Sequence, residues 1–596
     1  MPDTMPAHGM PAASDIERPV AQPAGNSLFG SDAVAEALRA LRIPYIALNP
    51  GASYRGLHDS LVNHLGNEAP QMLLCLHEEH AVAIAQGWAK VTGTPMLAAV
   101  HSNVGLFHAT MAIFNAWCDR IPVIVLGATG PVDAARRRPW IDWLHTAQDQ
   151  GAIVRPYVKW DAQPASPAAA REALFRAAWL AGTAPCGPVY VNLDAAMQEA
   201  PLAEPLPPLD PARFMPRVTS GPDPALVAQA AVMLEGAARP LILAGRVGRD
   251  EARWAERVRL AEALGARVAT DLKVGAAFPT DHTLHVGKPG VFPVPETAAA
   301  IRDADVILSL DWVDLAGTLK AAFGDAQPGG RIIQVSLDHA LHNGWSADHQ
   351  GLPPVDLFLA ADPDATVAAL VAHLPAGEER ARSWNKPSPD AQAPLAVPHL
   401  AAALIEAVGE RAVSLLHLPL SWDGGFWPFR HPLDFLGSDG GGGIGGGPGI
   451  SVGAALALRG TGRLPVSICG DGDFLMGVTA LWTATHYHIP LLLVVANNQS
   501  FFNDEVHQER VARERGRPVE NKWIGQRMTD PELDLAGLAR AQGAVGFGPV
   551  MQVAELETVF AEAIAAVEAG CVAVVDVRVA PGYTPAMAAA LVRHEK

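Results

Sequence analysis

Two short polar segments decide how this chain folds: Gly470-Asp471-Gly472-Asp473 and, further along, Asn497-Asn498. The first follows the apolar run 465–469, and the second follows the apolar run 491–496. Short apolar runs that contain β-branched residues predict buried strands of a parallel sheet. The carboxyl ends of parallel strands line one edge of the sheet, where ligands bind. We therefore expect Asp471 and Asn498 to lie close together at that edge.

The alternation of short apolar runs with helical patterns extends along the chain from this pair. Residues 81–92, 108–119 and 251–264 are predicted helices between the strands. Strands that alternate with helices predict an α/β fold in which parallel sheets are covered by helices on both faces. The other predicted strands are 45–48, 72–76, 96–100, 123–126, 189–192, 240–244, 306–310, 331–335, 413–416 and 572–577.

Two proline-dense segments, 201–224 and 375–398, interrupt this alternation and are predicted to be linkers. The predicted domains are therefore 28–200, 225–374 and 399–580, each a doubly wound parallel sheet. The middle domain is expected to be Rossmann-like. The turn 245–249 after its first strand is more typical of a tight turn than of a nucleotide site. The end segments are predicted to be a flexible arm, 1–27, and a tail that frays or closes as a lid, 581–596.

The composition excludes several classes of protein. Of the 596 residues, 49% are hydrophobic and 18% are charged, which excludes disorder across the body of the chain. The net charge of −18 makes nucleic acids and anionic membranes unexpected partners. No apolar run approaches the roughly 18 residues of a membrane span, and the first residues lack the apolar segment of a signal peptide. Five widely spaced cysteines predict free thiols and a cytoplasmic location.

The Asp and Asn at the predicted sheet edge offer the hard oxygen ligands that Mg²⁺ prefers, and the flanking glycines let the backbone approach a diphosphate closely. A GDG segment followed by an asparagine pair after the next strand resembles the thiamin diphosphate motif. The resemblance implies that Asp471, Asn498 and the backbone carbonyl of Ser500 hold Mg²⁺, which in turn holds the diphosphate. The other residues of the motif expected beside the cofactor are Gly470, Gly472 and Asp473.

A glycine-rich segment, 439–449, precedes this motif. Within it, Gly442-Gly443-Ile444-Gly445 matches the GG(I/L)G element of the same enzymes, in which the large apolar residue props the cofactor in a bent shape. The resemblance implies that Gly442 and Gly443 contact the cofactor and that Ile444 is the wedge. The alternative is that Ile444 is an ordinary core residue.

Thiamin diphosphate also needs a carboxylate beside its aminopyrimidine ring, because that carboxylate promotes loss of the thiazolium C2 proton. The predicted strand 72–76 leads into His77-Glu78-Glu79-His80, and Gly87-Trp88-Ala89 follows. This pattern resembles the HE element of thiamin diphosphate enzymes, which implies that Glu78 is the activating carboxylate. The alternatives are an exposed charge pair and a zinc site made by His77 and His80.

The order of a pyrimidine-binding, a middle and a diphosphate-binding domain is similar to that of the decarboxylase and acetolactate synthase superfamily. The resemblance implies an enzyme that depends on thiamin diphosphate and Mg²⁺ and that makes or breaks a carbon–carbon bond next to a carbonyl. Its substrate would be a 2-oxo acid, an aldehyde or an acyl-CoA. Such enzymes bind the cofactor between two subunits, so a homodimer or homotetramer is expected.

The segment that begins at His101 is similar to benzoylformate decarboxylase, which implies a 2-oxo acid decarboxylase or lyase in which His101 relays protons. Two positions depart from that pattern. Ala52 stands where the family has a serine, with Ser53 beside it. Gly317 or Thr318 stands where the family has a second histidine. Similarity continues in three short segments: 115–117, 158–160 and 187–191.

Three other functions stay open. An acetolactate synthase is supported by residues 50–53, Gln148 and Lys159, but the middle domain lacks a convincing flavin signature. A 2-hydroxyacyl-CoA or oxalyl-CoA lyase is supported by Arg136-Arg137-Arg138, which would meet CoA phosphates. A catalytically silent cofactor-binding protein is the third, and the retained carboxylates and asparagine of the motifs argue against it.

The segment after the asparagine pair, 501–510, resembles neither benzoylformate decarboxylase nor acetolactate synthase closely. In these enzymes this part of the chain lies over the cofactor. Glu505 and His507 are therefore candidate acids or bases for the reaction. The alternative is that both lie on a helix surface.

Overall fold

The computed structural model describes residues 15–20, 28–340, 351–583 and 587–588. It contains three parallel sheets of six, five and five strands, with helices packed against them. The predicted α/β fold class of three doubly wound parallel sheets is confirmed. Most of the predicted arm 1–27 and of the predicted tail 581–596 lies outside the described residues.

The first sheet lies within residues 45–194. Its elements are α1 (Gly30–Ala40), β1 (Tyr45–Leu48), α2 (Arg55–Asp59), β2 (Gln71–Leu74), α3 (Glu78–Thr92), β3 (Met96–Val100), α4 (Ser102–Cys118), β4 (Val123–Thr129), β5 (Asp161–Ala162), α5 (Pro167–Ala181), β6 (Val189–Asp194) and α6 (Ala195–Glu199). The strand order is β2-β1-β3-β4-β6-β5, so the direction of winding reverses between β1 and β3. Such a reversal opens a crevice at the carboxyl ends of the two strands.

The middle sheet follows the predicted linker, in which the structure has one short helix, α7. The elements are α7 (Pro211–Phe214), α8 (Pro224–Glu235), β7 (Pro240–Ala244), α9 (Glu251–Leu264), β8 (Arg267–Ala269), α10 (Pro295–Asp303), β9 (Val306–Leu310), α11 (Leu315–Phe323), β10 (Arg331–Val335), β11 (Leu357–Leu359) and α12 (Pro363–Val371). The strand order is β11-β10-β9-β7-β8.

The third sheet carries the two polar segments with which the sequence argument began. Its elements are α13 (Val397–Val408), β12 (Val413–His417), α14 (Gly447–Ala457), β13 (Leu464–Gly470), α15 (Asp471–Gly477), α16 (Ala480–His486), β14 (Leu491–Asn497), α17 (Phe502–Glu514), α18 (Leu535–Ala541), β15 (Val545–Val550), α19 (Leu556–Glu568) and β16 (Val572–Arg578). The strand order is β12-β13-β14-β16-β15, which makes β13 and β14 direct neighbours.

Helices α3 and α14 join the first and third sheets. Their apolar side chains belong to one hydrophobic core that includes Ile84 and Trp88 of α3 and Ala454 of α14. Two glycines allow the helices to touch backbone to backbone: a Cβ at Gly87 would lie 1.9 Å from the Ile450 carbonyl oxygen, and one at Gly453 would lie 1.9 Å from that of Ile84. The HE segment and the glycine-rich segment thus sit on helices that pack against each other.

Short 3-10 and π turns complete the described secondary structure. They are Asp15–Glu17, Ala52–Tyr54, Ser60–His64, Ala134–Arg136, Gln150–Ile153, Arg155–Tyr157, Asp338–Ala340, Val519–Trp523 and Val553–Glu555. In the described parts of the chain, no helix combines the length and the apolar character needed to cross a lipid bilayer.

Candidate active site

The GDG segment and the asparagine pair meet at the carboxyl edge of the third sheet. Asp471 begins α15 directly after β13, and Asn498 follows β14. The backbone N–H of Ser500 links them, since it lies 3.2 Å from Asp471 Oδ2 and 3.0 Å from Asn498 Oδ1. The structure therefore brings together the three residues predicted as metal ligands.

The two asparagines have separate surroundings. Asn497 is buried, donates from Nδ2 to Asp576 Oδ1 at 2.8 Å and accepts from the backbone N–H of Gln499 at 3.1 Å. Gln499 has a φ of 59°, which turns the chain sharply between Asn498 and Ser500. Asn497 thus holds the turn, and Asn498 carries the oxygen that faces Ser500.

The donor set at this turn fits a hard divalent cation. Asp471 is only 4% exposed, and its carboxylate accepts hydrogen bonds from backbone N–H groups that include those of Gly472 and Ser500. Burial raises the pKa of Asp471, and those N–H groups offset the increase only in part. A carboxylate, an amide oxygen and a carbonyl are the ligand types that Mg²⁺ takes, and a bound cation would offset the cost of burying the charge.

The glycine-rich segment is folded by Asp473, two residues after Asp471. Asp473 Oδ1 accepts hydrogen bonds from the backbone N–H groups of Gly445 at 2.7 Å and Gly447 at 3.2 Å. Its buried Oδ2 has no hydrogen-bond partner among the described residues. The visible role of Asp473 is therefore to shape the loop, and one of its oxygens remains available.

The predicted wedge residue lies on this loop. Gly442 has a φ of 73°, a left-handed conformation that side chains other than glycine rarely adopt. Ile444 is 45% exposed, so the alternative that it is a core residue is wrong. On the same loop, Gly443 packs against Met111 of α4, which ties the loop to the first domain.

A buried histidine that the sequence analysis did not single out lies behind Asp473. His417 ends β12, and its Nδ1 is 3.8 Å from Asp473 Oδ2 and 4.0 Å from Cys469 Sγ. The same nitrogen is 3.2 Å from the Ile468 carbonyl, to which it donates. Its position directly after the predicted strand 413–416 is the sequence signal that could have identified it.

Glu78 begins α3 and is 7% exposed. Its Oε2 lies 2.9 Å from Nδ1 of His108, whose ring is about half exposed and stacks on His77 with centroids 5.1 Å apart. A Cβ at position 105 would lie 2.9 Å from Glu78 Oε1, so Gly105 leaves room for the carboxylate. The exposed charge pair considered for Glu78 is therefore wrong, and its partner is a histidine of α4.

The zinc alternative based on His77 and His80 does not match the contacts of these rings. His77 Nδ1 accepts the backbone N–H of Glu79 at 3.1 Å and so caps α3. His80 Nε2 is 2.8 Å from Thr479 Oγ1, and burial lowers the pKa of His80 to about 4. Two groups in the described chain place three ligand atoms within 4.8 Å of one another: His77, Glu78 and His108, and His417, Cys469 and Asp473.

His101 lies at the crevice between β1 and β3, directly after β3. Its Nδ1 is 2.9 Å from Ser53 Oγ. A Cβ at position 51 would lie 2.3 Å from the His101 ring, so Gly51 is needed for this close approach. Burial and the nearby His145 lower the pKa of His101. Ser53, which follows Ala52 in the sequence, thus contacts His101, the histidine predicted to relay protons.

Glu505 and His507 both lie on α17 but face different ways. Glu505 is 1% exposed, accepts a hydrogen bond from Ser500 Oγ and pairs with Arg527 Nε at 3.2 Å. His507 is half-buried and, two residues further along a helix, points about 200° away. The helix-surface alternative is wrong for Glu505, whose visible contacts support the turn at Ser500.

The arginine cluster after β4 is engaged with the protein itself. Arg138 pairs with Asp142 at 2.8 Å. Arg137 donates to the carbonyls of Pro131 and Val132 at 2.7 and 2.9 Å. These contacts stabilise the loop, and a CoA phosphate would have to compete with them.

A cavity of about 570 Å³ lies between the first and middle domains, beside the turn 245–249. Arg246 of this turn pairs with Asp311 and Asp338, each at 3.1 Å. Arg249 donates to the carbonyls of Phe435 and Leu436 at 3.1 and 2.9 Å. Both arginines are used in contacts within the protein, which fits the predicted tight turn.

Three family models match the chain. They are the N-terminal TPP binding domain of thiamine pyrophosphate enzymes at residues 29–153, the central domain at 227–370 and the C-terminal TPP binding domain at 421–577. Each match lies inside one of the three predicted domains.

Curated relatives include two kinds of enzyme. A benzoylformate decarboxylase of Pseudomonas aeruginosa is 28% identical over 458 residues, covering 72% of this chain and 79% of the relative. A probable acetolactate synthase large subunit of Methanocaldococcus jannaschii is 26% identical over 549 residues, covering 86% of each chain. Among solved structures, a thiamine diphosphate-dependent 4-hydroxybenzoylformate decarboxylase of Rhodococcus jostii superposes with a TM-score of 0.76 at 22% identity, over 94% of this chain and 100% of the other.

Proposed function

Because the chain belongs to the thiamine pyrophosphate enzyme family, whose members make or break carbon–carbon bonds, we propose that it is a thiamin diphosphate- and Mg²⁺-dependent decarboxylase of small 2-oxo acids. The observation that carries the choice of decarboxylase is the pair of His101 and Ser53 in the crevice between β1 and β3. It places an oriented imidazole where the fold binds ligands.

The cofactor would be held by the third domain. In this proposal Asp471, Asn498 and the Ser500 carbonyl bind Mg²⁺, which holds the diphosphate, and the loop 440–447 lies against the cofactor with Ile444 as its support. When bound, thiamin diphosphate supplies an electron sink for the carbon–carbon bond that breaks. Asp473 keeps the glycine loop in shape through its two N–H contacts.

Glu78 is the proposed activating carboxylate. Its role is to hold and move a proton at the aminopyrimidine ring, and His108 fixes its orientation through the 2.9 Å contact. His101 is proposed to exchange protons with the substrate. The contacts of Glu505 with Ser500 and Arg527 favour a role in positioning the turn at Ser500. An acid–base role for Glu505 or His507 stays a prediction.

The active unit is proposed to be a homodimer or a dimer of dimers. Large apolar side chains are exposed near both halves of the site, which supports a covering subunit. Beside Glu78 these are Leu76, Val104 and Phe107, and near the glycine loop they are Leu420, Ile444 and Met476. All five cysteines are free thiols, which supports a reducing, cytoplasmic location.

An acetolactate synthase activity is the second candidate. The observation that favours it is the even coverage of the archaeal relative, 86% of each chain. An acyl-CoA lyase activity has less support, because Arg137 and Arg138 are engaged with the protein itself.

Product analysis separates these candidates. The purified protein, loaded with Mg²⁺ and thiamin diphosphate, is incubated separately with benzoylformate, pyruvate and a 2-hydroxyacyl-CoA, and the products are identified by mass spectrometry. Aldehyde plus carbon dioxide is the expected result. Acetolactate from pyruvate would instead assign the synthase reaction, and a shorter acyl-CoA would assign the lyase reaction.

A further inference from the structure

Two imidazoles meet in the crevice of the first domain. His101 follows β3, and His145 lies on the loop 130–149, which follows β4. Their ring centroids are 4.7 Å apart, and the rings meet edge to face at 82°. His145 was not among the predicted site residues, because a histidine on a loop has no local pattern that reveals its spatial neighbour.

Hydrogen bonds and an ion pair stabilise the loop 130–149. The backbone N–H of Gly130 donates to the His145 carbonyl at 3.0 Å. Asp142, which is buried, accepts from the backbone N–H of Arg138 at 2.7 Å and pairs with its guanidinium. A Cβ at position 130 would lie 2.3 Å from Thr146 Oγ1, so the loop closes tightly on itself. These contacts hold His145 against His101.

The contact with Ser53 favours one tautomer of His101. Ser53 Oγ accepts the backbone N–H of Ser102 at 3.2 Å, so its own hydroxyl proton is available for His101 Nδ1, which is 2.9 Å away. Neutral His101 then accepts at Nδ1 and carries its proton on Nε2. Nε2 is thereby the atom that exchanges protons.

We propose that His101 and His145 together form a two-histidine proton-transfer site for the substrate, with Ser53 as a positioning residue. This inference rests on the proposed function, the conversion of a 2-oxo acid to an aldehyde and carbon dioxide. In that reaction the bond between the carboxylate and the carbonyl carbon breaks, carbon dioxide leaves and the carbonyl carbon takes up one proton. Each turnover consumes one proton, and the two imidazoles in contact offer adjacent rings through which it can reach the substrate.

The pair accounts for the missing histidine of the middle domain. Thr318 is buried, and its Oγ1 accepts the indole N–H of Trp312 at 2.8 Å. The backbone N–H of Gly317 donates to Asp314 Oδ1 at 2.9 Å. Both contacts stabilise the first turns of α11. His145 supplies the second imidazole from the first domain instead.

The groups around His101 predict the direction in which its pKa changes when His145 is replaced. Burial lowers the pKa of His101, His145 and Arg138 on the loop 130–149 lower it further, and Glu78 at the start of α3 acts in the opposite direction. Removing the His145 ring takes away one repelling charge. The pKa of His101 should then rise toward the ordinary value of about 6.5.

The first measurement follows the His101 ring by NMR during a pH titration of the cofactor-free protein, with histidine labelled and the signal assigned through His101→Gln. In His145→Gln the pKa of His101 is expected to rise by about half a unit or more. The matched control is His373→Gln, which removes an exposed histidine of the middle domain and should leave His101 unchanged. An unchanged His101 in His145→Gln would overturn the pairing.

The second measurement uses the protein loaded with Mg²⁺ and thiamin diphosphate, with benzoylformate and pyruvate as probes. His145→Gln is expected to lower kcat about 100-fold with KM changed less than about threefold. Exchange of the cofactor C2 proton should stay at the wild-type rate, because Glu78 controls it. Ser53→Ala leaves the loop 130–149 intact and should lower kcat about tenfold, which keeps the test valid if His145→Gln fails to fold.

The two readouts separate the inference from the function on which it rests. If the wild-type protein exchanges the C2 proton no faster than free cofactor, or turns over neither probe, the proposed function fails. If exchange and turnover are normal and both variants keep the wild-type kcat, only the two-histidine site is refuted.

Discussion

Glu78 and Asp471 are both buried carboxylates at the carboxyl ends of parallel strands, yet their surroundings differ. Glu78 is paired with the imidazole of His108 at 2.9 Å, and Gly105 leaves space beside it. Asp471 contacts the backbone N–H groups of Gly472 and Ser500, and burial raises its pKa. The first carboxylate contacts an imidazole side chain, whereas within the described residues the hydrogen bonds to the second come from backbone N–H groups.

This difference separates the two halves of the proposed site. In the proposal, the first domain supplies a carboxylate oriented for proton transfer, and the third domain supplies oxygen ligands whose charge a bound cation would balance. Substitutions in the two halves should therefore change different quantities, turnover in one and cofactor affinity in the other.

The largest expected effect comes from Glu78→Gln. The amide keeps the shape of the side chain but cannot take up or release the proton, so kcat should fall by about 1,000-fold or more. Binding of thiamin diphosphate in the presence of Mg²⁺, measured by isothermal titration calorimetry, should stay within about threefold of wild type. Full activity in this variant would remove the distinction between the two carboxylates.

Asp471→Ala should show the opposite pattern. Loss of a charged metal ligand is expected to weaken thiamin diphosphate binding about 100-fold at fixed Mg²⁺. At saturating cofactor much of the turnover should return, since Glu78 and His101 are untouched. Calorimetric titrations with and without Mg²⁺ check this. An unchanged dependence of cofactor binding on Mg²⁺ would contradict the ligand assignment.

A third prediction concerns the contact that joins the two halves, between His80 on α3 and Thr479. Burial lowers the pKa of His80 to about 4, below its unfolded value of about 6.5. Protonation of His80 therefore favours the unfolded state. The stability that neutral His80 contributes is fully present above pH 6.5 and is lost as the pH falls toward 4. Between pH 7 and pH 5 the loss should be about 2 kcal/mol.

Denaturant unfolding at the two pH values tests this contribution. In His80→Gln the free energy of unfolding should depend less steeply on pH than in wild type. The exposed His373→Gln serves as the control. Equal slopes for His80→Gln and wild type would show that His80 does not carry the effect.

The smallest expected effect is that of His108→Gln. Glutamine can still donate a hydrogen bond to Glu78 but lacks the stacked ring, so kcat should fall about tenfold. The pH dependence of kcat should change as well, because an imidazole in direct contact with Glu78 is lost. A pH profile identical to that of wild type would restrict His108 to a packing role.

Much of the fold was predictable because central parallel strands are apolar on both faces. Strands 45–48, 96–100 and 306–310 match β1, β3 and β9 at both ends. Four strands were not predicted, and all of them lie at sheet edges: β5, β8, β11 and β15. Strands at an edge are short or partly exposed, so they lack the continuous apolar run of a central strand.

The candidate site was predictable where a motif lies in one stretch of sequence. Asp471, Asn498 and Glu78 follow predicted strands, and the structure places each at the carboxyl edge of its sheet. His108 and His145 were missed, because each reaches its partner across the fold from a helix or a loop. Contacts of that kind are set by tertiary packing and leave no local periodicity.

The most direct test of the whole account is the rate at which the C2 proton of bound thiamin diphosphate exchanges with deuterium, measured by rapid quench and NMR at saturating Mg²⁺. The wild-type protein should accelerate exchange by several orders of magnitude over free cofactor, and Glu78→Gln should remove most of that acceleration. Exchange in the wild-type protein at the rate of the free cofactor would contradict the assignment of Glu78 and the proposed chemistry.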